Sequence, residues 1–296
     1  MFNSSEKNFN TMVNSTLQYL NDYGINNMIL GISGGIDSTL VAAICHEVVK
    51  RSDGKRNLLG YSLMCSTNQS DEVKAAEMVG KSLCTEYQSI NIEYDYNTIS
   101  NSLSNRFKVV SPIADGNIKA RLRMLYLYHC ASIYKGIVMD TDNYSEHQLG
   151  FWTLHGDEGD FNPIGNLYKT EIYELCEWLC TEYYVNDRDI RQAIEESYKL
   201  TPTDGNGVKM GGDMAQIAPG LTYKEVDRIL FEIKVFGYSK NNDVILKRLS
   251  EEKWYDEDIV KGVINRVRSN SFKRKHRPLK IDLGTGEITQ QICKEK

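Results

Sequence analysis

Eleven residues, Met28-Ile29-Leu30-Gly31-Ile32-Ser33-Gly34-Gly35-Ile36-Asp37-Ser38, restrict the fold of this chain more than any other stretch. The apolar run over 28–32 has the length and composition of a buried strand, and Thr39-Leu40-Val41-Ala42-Ala43-Ile44 that of a helix. Between them the chain must turn sharply, and the glycines let the backbone do so while passing close to a ligand. Strand, glycine turn and helix in succession make an anion site, because the free N–H groups of the helix start point out of the turn. Ser33 and Ser38 add hydroxyl donors. Asp37 would repel a phosphate unless a divalent cation stood between them, with a carboxylate on one side and phosphate oxygens on the other.

The rest of the first half repeats the alternation. Phe9, Met12, Val13, Leu17 and Leu20 form a helical apolar stripe ahead of the first strand. After the helix at 39–50 and a turn at 51–56, residues 58–64 read as a second buried strand. Residues 70–83 read as a helix opened by the capping signature Ser70-Asp71-Glu72-Val73, 87–92 as a third strand, 117–134 as a helix and 136–141 as a fourth strand. Such alternation predicts a parallel sheet covered on both faces, with ligands at the carboxyl ends of its strands. The 33–38 turn and the 140–146 stretch both follow strands and should meet at that edge. Beyond residue 165 the periodicity is helical, over 168–180, 188–196, 223–236 and 256–267. The polar, glycine-rich stretch 204–213 reads as a mobile loop, and Gly284-Thr285-Gly286 as a turn. With no internal repeat, the chain reads as one domain over 1–296, an α/β core at 1–165 followed by a mainly helical part at 166–296.

Composition narrows the function classes. Of 296 residues, 41% are hydrophobic and 25% charged, which suits a globular chain. No apolar run approaches the roughly 20 residues of a membrane span, and Met1-Phe2-Asn3-Ser4-Ser5-Glu6-Lys7 lacks a signal pattern. The seven cysteines are scattered without a Cys-x-x-Cys and suit a reducing cytoplasm; Cys176 and Cys180, one turn apart among Ile172, Leu175 and Leu179, read as core thiols. A net charge of −5 argues against general nucleic-acid binding.

The turn lacks both a Gly-Lys-Ser/Thr ending and a Gly-x-Gly-x-x-Gly, so it is neither a Walker loop nor a dinucleotide loop. Ser33-Gly34-Gly35-Ile36-Asp37-Ser38 resembles the pyrophosphate loop of the N-type ATP pyrophosphatases, which split ATP between the α- and β-phosphates. Four further stretches resemble one branch of them, the ammonia-dependent NAD synthetases. They are Gly116-Asn117-Ile118-Lys119-Ala120-Arg121-Leu122-Arg123-Met124, Thr141-Asp142-Asn143-Tyr144-Ser145-Glu146, the pair 150–157 and 162–170, and Leu221-Thr222-Tyr223-Lys224-Glu225-Val226-Asp227. The basic run 271–278 completes a likeness covering about residues 28–278.

That resemblance implies a doubly wound, mostly parallel five-stranded sheet with a helical C-terminal part. It implies ATP bound by Gly31, Ser33, Gly34, Gly35, Asp37, Ser38, Arg121, Thr141 and Lys169, with Mg²⁺ between Asp37 and Glu146. It assigns catalysis to Asp37, Lys169 and Ser33, and deamido-NAD to Arg123, Asp157, Thr203, Glu225, Lys273 and Arg274. Arg121 and Arg123, two apart on a helix, should point in different directions. Glu225 has a rival reading as a first-turn helix acid. Two positions depart from the family pattern, Asp140 for Gly and Leu154 for Lys. The implied reaction is amidation of deamido-NAD to NAD⁺ through an adenylylated carboxylate, releasing pyrophosphate and AMP. A chain of this length has no room for a glutaminase domain, so free ammonia is the expected nitrogen source. The resemblance also implies a homodimer, in which the first helix's stripe is either interface or core. Alternatives are another pyrophosphate-loop amidase, a tRNA thiolase, or a non-catalytic nucleotide sensor.

Overall fold

Strands that are apolar toward both sides must be sandwiched, and here helices cover both faces of a sheet. The computed structural model describes residues 5–108, 111–202, 214, 217–236, 245, 247, 249, 256–274, 280–281 and 288–289. Among them, β1 (Asn27–Gly31), β2 (Asn57–Met64), β3 (Glu86–Asn91) and β4 (Gly136–Met139) form one parallel sheet in the order β3-β2-β1-β4. The chain runs outward from β1 to β3, then crosses to the other side of β1 for β4. The order reverses between β1 and β4, and the carboxyl ends of those two strands are where a doubly wound sheet opens a crevice.

The sheet has four strands among the described residues, not the expected five. Beside β4 the chain makes a single parallel bridge, Met139 to Phe161, with Asp160 N donating to Val138 O at 2.8 Å and Asp140 N donating to Phe161 O at 2.9 Å. Pairing stops there because Asn162 turns its side chain back onto Asp140 and Pro163 has no N–H to give.

On one face, Met28 and Leu30 pack under α1 (Ser5–Asp22), α2 (Ile36–Arg51) and α3 (Ser70–Leu83). On the other, Ile29, Leu59, Leu63 and Val138 pack under α5 (Pro112–Tyr134). The alternation of Met28, Ile29 and Leu30 between faces is the two-residue period of a strand. The stripe on α1 is core, not interface: Phe9, Val13 and Leu20 are fully buried in the first cluster. α3 spans the expected 70–83, with Gln69 as its cap and Glu72 reaching back to Gln69 N at 3.1 Å. An unexpected helix, α4 (Glu93–Phe107), follows β3; it buries none of its residues and so shows no apolar stripe to read.

The second half is helical as expected. α6 (Tyr144–Leu149) follows β4, then α7 (Lys169–Trp178), continued by one π turn (Leu179–Tyr183), and α8 (Arg188–Tyr198). α9 (Tyr223–Phe236) and α10 (Glu257–Ser269) share a separate core of Leu149, Val226, Ile229, Leu230, Ile233, Val260, Val263, Ile264 and Val267. A short 3₁₀ turn (Ser271–Arg274) and an antiparallel pair, β5 (Lys280–Ile281) with β6 (Ile288–Thr289), complete the description. Thr203, the 204–213 loop, the basic residues 275–277 and the turn at 284–286 lie outside the described residues.

Candidate active site

The turn after β1 is built by its own serines. Ser33 Oγ accepts from Gly35 N at 3.2 Å, and Ser38 Oγ donates to Gly35 O and contacts Ser33 Oγ, both at 3.0 Å. Gly34 takes φ +89°, and a Cβ there would stand 2.3 Å from Glu72 O, so only glycine lets α3 pass over the turn. Gly35 caps α2 without a side-chain acceptor. The first N–H groups of α2 are therefore free to receive an anion from outside.

Asp37, in the first turn of α2, faces the loop that leaves β4. Asn143 Nδ2 donates to Asp37 Oδ1 at 2.8 Å, and Asn143 also caps α6 by accepting from Glu146 N at 3.0 Å. Asn143 is fully buried; its side chain holds the Asp37 carboxylate, and its main-chain N–H reaches Glu146 Oε2 at 3.4 Å. Asn143-x-x-Glu146 has the spacing of a capping box, the one mark of Asn143 in the sequence. Lys169 closes the group. It is the first residue of α7, 2% exposed, and its Nζ lies 2.5 Å from Asp37 Oδ2 and 3.0 Å from Glu146 Oε1. Burial opposes its charge, but the two carboxylates outweigh that and hold the ammonium above the usual lysine range.

Asp37, Glu146 and Lys169 therefore meet at the switch point, from three separate elements. No group of three or more His, Cys, Asp or Glu side chains fit to hold a metal occurs among the described residues. Two carboxylates within reach of one ammonium do fit Mg²⁺, which usually takes one or two protein carboxylates and completes its shell with phosphate oxygens and water.

The remaining predicted residues have partners of their own. Thr141 is half-buried just past β4. Arg121 and Arg123 diverge as expected: Arg121 donates through Nε and Nη2 to Leu154 O, each at 3.3 Å, and Arg123 Nε donates to Leu63 O at 3.1 Å. Arg121 borders a cavity of about 510 Å³ with Tyr128, His155 and Glu158. Leu154 thus meets Arg121 through its main chain, a contact that any side chain at 154 would allow. Asp157 accepts from Thr153 N at 2.5 Å, and burial pushes its carboxyl up. Lys273 donates to the carbonyls of Gly150 and Trp152, and Arg274 to those of Gln148 and Val267. Lys273 thus holds the segment after α6, and Arg274 ties the end of α6 to α10. Glu225 Oε2 accepts from Thr222 N at 2.9 Å and from Thr222 Oγ1 at 2.7 Å, which is the helix-terminus reading of that residue.

Asp140, where the family pattern has Gly, ties the 159–162 segment to β4. Its carboxylate accepts from Asp142 N, Asn162 Nδ2 and Gly159 N at 2.7, 3.0 and 3.0 Å. Burial, only partly offset by those bonds, raises its pKa to about 6.

The sequence model of the family described as NAD synthase matches residues 8–277. The chain belongs to the NAD synthase family. It is 31% identical over 252 residues to the NH(3)-dependent NAD(+) synthetase of Methanococcoides burtonii, spanning 85% of this chain and 86% of that one. With that of Pyrococcus furiosus it shares 29% over 269 residues, 90% and 93% of the two chains. Among solved structures, the NH3-dependent NAD synthetase from Campylobacter jejuni superposes with a TM-score of 0.69 at 25% identity, covering 94% of this chain and 100% of that one. An NMN synthetase from Francisella tularensis reaches a TM-score of 0.73 at 23% identity, over 94% and 99%, a likeness of fold. The NAD synthase family comprises ATP-dependent ligases that form a carbon–nitrogen bond.

Proposed function

We propose that this protein amidates deamido-NAD to NAD⁺ with ammonia and ATP, releasing AMP and pyrophosphate. The observation that carries the reading is the meeting of Asp37, Glu146 and Lys169 beside the uncapped start of α2. The nicotinate carboxylate of deamido-NAD attacks the α-phosphorus, the bond to the bridging oxygen breaks, and pyrophosphate leaves. Ammonia then attacks the acyl carbon, AMP departs, and the surplus proton passes to solvent.

The chain's part is placement and charge. The N–H groups at Gly34 and the first turn of α2, with the Ser33 and Ser38 hydroxyls, cradle pyrophosphate. Gly31 ends β1 just before the turn, so the nucleotide lies over the strand edge. Lys169 supplies positive charge where the leaving group gathers negative charge, an effect that mutagenesis elsewhere puts at about 10²–10³ in rate per donor removed. Asp37 and Glu146 would hold Mg²⁺, which when bound neutralises phosphate oxygens. Arg121 and Thr141 border the nucleotide. Arg123, Asp157, Lys273 and Arg274 shape the deamido-NAD side, and Thr203 and Glu225 are assigned there on the family likeness.

The whole chain acts as a single unit in the cytoplasm. In support of the cytoplasmic reading, no helix among the described residues is long and apolar enough to cross a membrane, and the described cysteines are all free thiols. The protein works as a homodimer, for which α4 and α5 supply a surface: Tyr94, Phe107, Ile113, Leu125 and Ile133 are all more than half exposed.

Incubation with Mg·ATP, deamido-NAD and ammonium, followed by chromatography, tests the reading. NAD⁺ and AMP should form in equal amounts. AMP formed only with a different acid would overturn the substrate, and ATP binding without AMP from any acid would overturn catalysis.

A further inference from the structure

Lys169 is gripped at both ends by one helix from the C-terminal part, α9. At the backbone end, Lys169 N donates to Ser145 Oγ at 3.0 Å, and Ser145 Oγ donates to Asp227 Oδ1 at 2.5 Å. Thr170 N donates to the other oxygen, Asp227 Oδ2, at 2.9 Å. Ser145 is fully buried and Asp227 is 6% exposed, so the start of α7 rests on an interior carboxylate. At the ammonium end, Nζ lies 5.3 Å from the centre of the Tyr223 ring. Tyr223 and Asp227 are four residues apart and so share one face of α9.

A carboxylate is an expensive group to bury and is retained where several donors meet it. Here the donors are a hydroxyl that itself holds Lys169 N, and a main-chain N–H at a helix start, where negative charge is favoured. An amide in its place would lose one of the two acceptors. The arrangement fixes the first residue of α7, and with it the root of a side chain whose tip must fall between two carboxylates.

We propose that Asp227, through Ser145, and Tyr223 are positioning residues that set Lys169 at the site, so that the C-terminal helical part governs the pyrophosphate-releasing step. The proposal rests on the reading of Lys169 given under Proposed function. It gives α9 a second task besides packing against α10, and makes the rate of that step depend on how α9 is seated.

The test measures ATP–pyrophosphate exchange dependent on deamido-NAD, with kcat and KM taken separately, and the melting temperature of each full-length variant. Asp227→Asn should lower kcat about tenfold to a hundredfold, as small misplacements of a reacting group do, with KM for deamido-NAD little changed. Ser145→Ala breaks the same link with a smaller change of side chain and should lower kcat in the same way, which keeps the test open if Asp227→Asn folds poorly. Tyr223→Leu removes the ring and should lose a few-fold to about thirtyfold. Val226→Ala, in the fully buried neighbour that packs into the second core, should lower the melting temperature and leave kcat in place. Wild-type kcat in both Asp227→Asn and Ser145→Ala overturns the proposal, as does a kcat loss in Val226→Ala matching that of Asp227→Asn. Lys169→Ala separates the two levels. Exchange that survives it overturns the role given to Lys169 and this inference with it; exchange lost there but intact in the Asp227 and Ser145 variants overturns this inference alone.

Discussion

Replacing Lys169 by methionine removes a charge while nearly keeping the side chain's volume, and its effect on stability can be worked from the structure. In the wild type, one ammonium faces Asp37 and Glu146 at 2.5 and 3.0 Å, with the carboxylates only 17% and 14% exposed. Methionine leaves both acids facing each other without a cation. Breaking a buried ion pair by deleting one partner costs about 3–5 kcal/mol, mostly the stranded charge. For a chain of 296 residues that corresponds to a fall of about 5–8 °C in melting temperature. The pH dependence has a definite sign. The folded-state pKa of Lys169 is raised, so its contribution is fully present below the ordinary lysine pKa of about 10.4 and is lost only as pH rises through the higher folded value. At pH 7 the variant therefore shows the whole deficit. The deficit stays the same up to about pH 9, below the range in which the raised ammonium loses its proton. Calorimetry without Mg²⁺ or nucleotide at about pH 7 and about pH 9 is the assay. An unchanged melting temperature at pH 7, or a deficit that shrinks by about pH 9, would refute the triad as a buried charge-balanced unit.

Asp37→Asn should lower NAD⁺ formation by about 10²–10³ while raising the Mg²⁺ concentration needed for half-maximal rate; a normal Mg²⁺ requirement would remove Asp37 from the metal. Asp140 has a folded pKa of about 6, above the ordinary value, so it favours the folded state most in acid and loses that contribution as pH rises from about 4 through 6. The stability of wild type minus that of Asp140→Asn should therefore fall by roughly 3 kcal/mol over that window, measured by urea unfolding; a flat difference would show the carboxyl is not shifted. Leu125→Glu, on the exposed side of α5 at 63% exposure, should convert a dimer to monomers in sedimentation velocity, and an unchanged sedimentation coefficient would move the interface elsewhere.

Much of the site was legible because its parts are local. A strand, a turn that needs glycine at Gly34, and a helix start lie within eleven residues, and their chemistry follows from their order. The roles of Asn143 and Asp227 were not legible. In the sequence Asn143 is one polar residue between Thr141 and Glu146, yet its side chain holds the Asp37 carboxylate and its N–H reaches that of Glu146. Asp227 closes the 221–227 stretch, yet it anchors a helix that begins 58 residues earlier in the chain. α4 was missed because a helix lying wholly on the surface carries no stripe.

By itself, the sequence determined the parallel α/β class, the anion-binding turn, the helical second half and the family, since each depends on neighbouring residues or on motif spacing. Only the tertiary structure decided that β4 pairs with β1, and so where the crevice opens. It also decided that Lys169 meets Asp37 across 132 residues and Glu146 across 23. The physical reason is range. Backbone preference and side-chain periodicity act over a few residues, whereas an ion pair buried between three elements exists only after the strand order and the packing of α7 on α2 have brought them together.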